Sequence, residues 1–382
     1  MMTPSSANCI TRAEAARDLL SKHAPQVDHD AAWPTDSMAA LSEASLLGLT
    51  VPTSYGGAGQ GPRVFAAVVS RLAEGCASTA MIYLMHSCAT QVIVAAQGFP
   101  RRDQILKDIA AGRHISTLAF SEKGSRSHFW APVSQATANG AMHRISADKS
   151  WVTSAGHSDS YVVSSRSVNA TEPTASTLYY VAKGAPGMTV VGRWTGLGLR
   201  GNASAPMRLE NVSVASSDRL TADGDGFGAM VNVVLPWFQL GSAAVAAGIC
   251  RSAVNGVRDH LSAARLEQMG QTLASLPNLR ADLARMQILT DSQVAFLDYV
   301  AGKMEDPRPD TMLAVLESKA AATETALQVT DLAMRACGGT AFSGRLSVER
   351  NFRDARAGSV MAPTTEVLHD FIGKAVLGMP LF

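Results

Sequence analysis

Apolar residues recur every three to four positions at both ends of this chain, and gather into short Gly- and Pro-bounded runs in its middle. The contrast predicts helices, then a β-rich segment, then helices again. Up to residue 114 the pattern is helical. Thr11-Arg12-Ala13-Glu14 has the spacing of a capping box, which predicts a helix start there. Ala- and Leu-rich segments follow, interrupted at Pro34, Pro52, Gly56-Gly57 and Pro62. β-prone runs then occupy 115–121, 151–153, 161–165, 177–182 and 188–191, separated by Gly, Asn, Ser and Pro. From Phe227 onward, helical spacing returns at about 228–264, 277–304, 309–337 and 364–377, with Gly338-Gly339 closing the third stretch. The expected architecture is α+β and multidomain: an N-terminal α-helical domain (1–114), a central β-barrel or sandwich (115–224) and a C-terminal four-helix bundle (225–382).

Composition narrows the function classes. An apolar content of 47% over 382 residues supports a large core divided into two or three units. A net charge of +1 gives no reason to expect nucleic acid or an anionic membrane as partner. No apolar run in the sequence approaches membrane-spanning length, and residues 1–8 lack the pattern of a secretion leader, so a cytoplasmic location is expected. Cys9, Cys76, Cys88, Cys250 and Cys337 show no CxxC spacing, which argues against a zinc site or a disulfide framework; no metal is expected.

Several short motifs stand in a recognisable order. Gly48-Leu49-Thr50-Val51-Pro52 with Tyr55-Gly56-Gly57 comes first, then Leu118-Ala119-Phe120-Ser121-Glu122-Lys123-Gly124 and Lys149-Ser150-Trp151-Val152-Thr153-Ser154. Gly198-Leu199-Arg200-Gly201, Glu210-Asn211-Val212 and Gly338-Gly339 follow. The series ends with Arg353-Asp354-Ala355-Arg356 and Met361-Ala362-Pro363-Thr364-Thr365-Glu366-Val367. In this order and over nearly the whole chain, the set resembles the acyl-CoA dehydrogenases. The resemblance implies an FAD-dependent oxidoreductase acting on an acyl thioester, carried on coenzyme A or an acyl carrier protein. It also implies a homodimer or homotetramer, with an electron-transfer flavoprotein or O₂ as electron acceptor.

By the same resemblance, Phe120 offers a backbone N–H to the flavin, Ser121 and Thr153 offer hydroxyls, Trp151 packs on the isoalloxazine and Ser127 lies near the pyrophosphate. Such donors stabilise a reduced, partly anionic flavin. Arg265, Met269, Arg335, Gly338 and Gly339 correspond to the half-site lent by a neighbouring subunit. Arg265 is displaced by one residue from the family pattern, and Met269 stands where Phe is usual. Thr364 and Glu366 match positions at the adenosine half of FAD.

The catalytic base departs from the family. The usual Glu position holds Ala362. Some members supply a Glu from an earlier helix instead, and that position falls on Phe238, with Gln239 in place of an adjacent Arg. No Asp or Glu occurs from Gly226 to Arg258. His86 and Glu366 are the candidate replacements, with His369 a weaker third. Dehydrogenation of a thioester with an unorthodox base is therefore expected. The alternatives are a flavin monooxygenase acting on N or S, and a flavin-binding protein of attenuated activity.

Overall fold

The computed structural model describes residues 4–382; the first three, part of the stretch read above for a leader, lie outside the described residues. Five helices open the chain: α1 (Pro4–Asp30), α2 (Thr35–Glu43), α3 (Pro62–Gly75), α4 (Ala77–Ala95) and α5 (Arg102–Ala110). The capping-box reading is corrected here. Thr11 lies inside α1, and its hydroxyl donates back to the Ala7 carbonyl at 3.2 Å. Residues upstream of Thr11 continue the helix, so no helix start was needed there.

Seven strands follow, in two sheets. The three-stranded sheet has the order β1 (Ser116–Ala119), β4 (Ser160–Arg166), β5 (Ser176–Ala182). The four-stranded sheet runs β2 (Thr137–Asn139), β3 (Met142–Val152), β7 (Ala205–Ala215), β6 (Met188–Val190). The inner faces of both sheets enclose a small core of their own, built around Ile145, Tyr161, Val163, Tyr179 and Leu209.

The C-terminal part is helical. A short α6 (Gly226–Ala229) passes through a π-helical turn (Met230–Val234) into α7 (Leu235–Ala263). Pro236 sits at the start of α7 and cannot donate to the preceding turn, which accounts for the local widening. A two-stranded hairpin, β8 (Arg265–Leu266) with β9 (Gln271–Thr272), leads to α8 (Pro277–Glu305), α9 (Thr311–Phe342), α10 (Ser347–Val360) and α11 (Thr365–Val376). As the glycine pair predicts, the long helical run from Thr311 ends at Gly338, which takes the non-helical φ 53° and ψ −136°; a short further helical piece, counted with α9, continues to Phe342. Helices from both ends of the chain share one core. Gly248 permits this, because a Cβ there would lie 2.4 Å from the Ser70 carbonyl oxygen of α3. By length and composition α4 and the helix spanning 226–263 could cross a membrane, but 83% of each apolar window is buried against the rest of the chain. All five cysteines are buried and unpaired.

Candidate functional site

Four of the eight motifs converge on one cavity of about 750 Å³. Phe120, Ser121 and Ser127 enter it from the segment after β1, and Trp151 and Thr153 from the end of β3. Met81 and Met85 of α4 and Leu118 of β1 form an apolar end, together with Val234 and Phe238 around the π turn. Met361 and Ala362, just beyond α10, complete that wall. A second cavity, of about 520 Å³, lies between the end of α4 and residues 216–229, and none of the candidate residues lines it.

The ring of Trp151 is presented by its backbone. The register of β3 against β7 shifts between Lys149 and Val152, and Trp151 takes φ 55° within that irregularity. Left-handed backbone is costly for a residue with a Cβ. Here it leaves the indole 64% exposed at the cavity instead of in the β-core. Trp194 meets it edge-on with centroids 5.6 Å apart. The Trp194 indole N–H donates to the Leu199 carbonyl (3.0 Å), and the Leu199 N–H donates to the Asp354 carboxylate (2.6 Å).

The Arg-Asp-Ala-Arg signature thus works as a latch between α10 and the loop beneath the cavity. Burial pushes the Asp354 carboxyl up to about 6, against the Leu199 N–H and the charge of Arg350. Arg353 pairs with Asp28 and Glu349 and donates to the Leu197 carbonyl at 3.0 Å. Gly198 has no room for a side chain, since a Cβ would lie 2.5 Å from the Arg353 carbonyl oxygen.

The polar side of the cavity carries the cations Lys123 and Arg126 but is short of carboxylates. The Thr153 and Ser204 hydroxyls lie 3.0 Å apart, and Asn202 accepts the Ser204 N–H at 3.2 Å. Among the described lining residues, Glu122 is the only carboxylate. It is committed to the buried Lys149 ammonium at 2.6 Å and to the N–H groups of Val133 and Ser134. A planar indole wall, two hydroxyls and an apolar end fit the isoalloxazine end of FAD. Ser121, Thr153 and Trp151 are the residues that would hold it.

The two replacement bases are not in this cavity. His86 is fully buried: one ring nitrogen accepts the Ser116 N–H and the other bonds the Leu47 carbonyl, both at 3.1 Å. Burial, with a smaller effect of His114, lowers its pKa to about 4. With neither nitrogen free, this imidazole ties α4 to β1 and cannot collect a substrate proton. Glu366 is exposed in the first turn of α11, away from the lining, and His369 pairs with Glu324 on the surface at 3.2 Å. Gln239 is buried beside Phe238, and an amide is no proton acceptor at neutral pH.

The remaining expected FAD contacts lie elsewhere in the single chain. Thr364 stands at the N-cap position of α11, where its side chain makes no capping bond. Arg265 and Met269 sit on or beside the β8–β9 hairpin, and Arg335, Gly338 and Gly339 on the last turns of α9; all five are exposed and available to a second subunit. Sequence reasoning missed Trp194, which lines the cavity, and Lys319, which lies behind its wall. The one available signal for Lys319 was a lone cation beside the Ala320-Ala321-Ala322 run.

Three family models match in succession: the acyl-CoA dehydrogenase N-terminal domain over residues 11–113, the middle domain over 117–212 and the C-terminal domain over 224–377. The chain is 27% identical to 3-sulfinopropanoyl-CoA desulfinase of Paraburkholderia xenovorans, covering 96% of this chain and 94% of that protein. It is 25% identical to the mitochondrial short-chain specific acyl-CoA dehydrogenase of Homo sapiens, covering 93% and 86%. Among solved structures, butyryl-CoA dehydrogenase from Megasphaera elsdenii superposes with a TM-score of 0.92 at 20% identity, covering 99% of both chains.

Proposed function

This chain belongs to the acyl-CoA dehydrogenase family of FAD-dependent oxidoreductases, and on that premise we propose that it oxidises an acyl thioester whose α-proton leaves without a side-chain base. One observation carries this reading. The cavity wall carries Ala362 and Phe238 at the two positions to which the resemblance assigns the family's carboxylate, and the only carboxylate on the described lining is locked to Lys149. Curated relatives whose names specify CoA thioesters support the substrate class.

The proposed reaction removes a proton from the α-carbon and a hydride from the β-carbon. FAD, when bound, supplies the two-electron acceptor for that hydride. Met81, Met85 and Phe238 receive the acyl group by burying its apolar surface. The Ser121 and Thr153 hydroxyls would donate to the edge of a bound flavin that gains electron density, and Trp151 with Trp194 would cover that wall. The proton passes to water at the cavity mouth. General-base assistance is worth about 10²–10⁴-fold, so simple straight-chain acyl groups react slowly. Groups with an acidified α-proton react at useful rates.

The test is anaerobic flavin bleaching by a panel of acyl groups, each offered on coenzyme A and on a carrier protein. Selective bleaching by acidified acyl groups supports the reading; rapid bleaching by butyryl-CoA overturns it. The missing carboxylate also favours a second reading, flavin-dependent oxygenation of N or S. Substrate-coupled O₂ consumption yielding an oxygenated product would select it.

A further inference from the structure

We infer that Lys319 is a positioning residue that sets the cavity face of the Met361-Ala362-Pro363 loop. Lys319 belongs to α9, which packs against α7, α8, α10 and α11. Its side chain is 1% exposed, and its ammonium donates to the carbonyls of Met361 (2.7 Å) and Pro363 (2.6 Å). These two carbonyls flank Ala362, between the end of α10 and the start of α11. A cation is favoured there because carbonyls at a helix C-terminus lack internal partners and carry the negative end of its dipole. The same ammonium lies 5.8 Å from the centre of the Phe238 ring. One buried cation therefore touches both walls that in this chain lack a carboxylate.

A lysine buried without a counter-charge is costly. An apolar side chain of equal length would fill the space but could not hold two carbonyls. Among the described residues, no carboxylate pairs with this ammonium. No Asp or Glu occurs from Gly226 to Arg258, Arg251 of α7 donates to Ser70, and on α8 Asp298 and Glu305 pair with Arg63 while Lys303 pairs with Asp310. On α10, Asp354 is bonded to Leu199 and Arg356 stacks on Phe352; on α11, Glu366 is exposed and His369 pairs with Glu324. Burial alone lowers the Lys319 ammonium to about 7. The charged form is the stronger donor to both carbonyls, so the loop is held most firmly below neutral pH and loosens as the proton leaves. Met361 and Ala362 line the cavity, so this clamp decides which of their atoms a ligand meets.

The experiment is hydrogen exchange on the FAD-loaded full chain, followed in the segment 360–366. Lys319→Met is expected to speed exchange there about tenfold or more, as loss of a local tether does, with FAD content and the β-domain segments unchanged. In the wild type, exchange in this segment, corrected for its intrinsic pH dependence, should rise as pH passes through about 7. Lys319→Met should show no such rise. Equal exchange in the two proteins, or a flat wild-type profile, overturns the inference; the wild-type profile alone decides it if the variant fails to fold. A second arm rests on the thioester reading: with a substrate that bleaches the flavin, Lys319→Met should lower the maximal rate about tenfold or more, since small displacements near reacting atoms cost that much. Altered exchange without any thioester that bleaches the flavin keeps the clamp and removes that reading alone.

Discussion

The Lys149 ammonium lies 2.6 Å from the Glu122 carboxylate, and both side chains are buried. One comes from β3 and the other from the segment after β1, so the pair ties together the two motifs that wall the cavity. Glu122 also accepts the N–H groups of Val133 (2.9 Å) and Ser134 (2.7 Å), which anchors the loop carrying Ser127. Burial works to raise its pKa, but Lys149 and Ser134 outweigh that and hold the carboxyl below its usual range.

Lys149→Met should destabilise the protein by about 3–5 kcal/mol, because it strands Glu122 as a buried, unpaired charge. Adding Glu122→Gln should recover part of that loss. Urea unfolding of the three proteins checks this. The lowered carboxyl contributes stability above about pH 4.5, which is lost as pH falls through its folded value. An unchanged urea midpoint in Lys149→Met would remove the anchoring role.

The purified protein should be yellow with noncovalently held FAD. Ser121→Ala and Thr153→Ala should each weaken FAD by roughly 3- to 10-fold, the worth of one hydrogen bond of about 0.5–1.5 kcal/mol. Trp151→Ala should weaken it further by removing the exposed indole. Flavin fluorescence during titration of apoprotein gives the constants. A colourless protein that cannot be reconstituted would defeat the reading of this cavity.

The order of elements was legible because helical and β spacing differ, but several boundaries were not. Only the end of β3, residues 151 and 152, was recognised, since the inward position occupied by Lys149 breaks the apolar alternation of Ile145 and Ala147. The segment Ser347–Val360 reads as polar, yet it forms α10, whose buried Val348, Asn351, Asp354 and Ala355 fall on one face. That Phe120, Ser121, Ser127, Trp151 and Thr153 share one cavity was legible because motif order brought them together. The roles of His86 and Lys319 were not, because both depend on which backbone atoms the fold brings to a buried side chain.

Full FAD affinity should require a second subunit. Arg265, Arg335, Gly338 and Gly339 are exposed in the single chain, near the exposed apolar side chains of Met269 and Phe342 in sequence. A closed two-fold assembly would cover such groups. Light scattering should report at least a dimer, and Arg335→Ala should weaken FAD without altering the cavity. A monomer with full FAD occupancy would contradict this.

His86 should show itself in stability and not in catalysis. Its pKa falls from 6.5 to about 4 in the folded state, so unfolding takes up a proton between those values. The stability it confers is complete above about pH 6.5 and declines as pH falls towards 4, by about 3 kcal/mol in all. Chemical unfolding at several pH values should show this slope, reduced in His86→Gln. Loss of flavin bleaching in a folded, FAD-loaded His86→Gln would instead restore it as the base.

Restoring the carboxylate is the most direct test of the empty wall. Position 362 lines the cavity beside Phe238, and the Lys319 ammonium binds the carbonyls on either side of it. A Glu placed there would have a cation close by, which favours its ionised, proton-accepting form. Ala362→Glu should therefore raise the rate of flavin bleaching by butyryl-CoA by about 10²–10⁴-fold over wild type, the usual worth of a general base. Stopped-flow absorbance under anaerobic conditions measures both proteins. No gain with FAD fully bound would mean that the acyl group does not lie against residue 362.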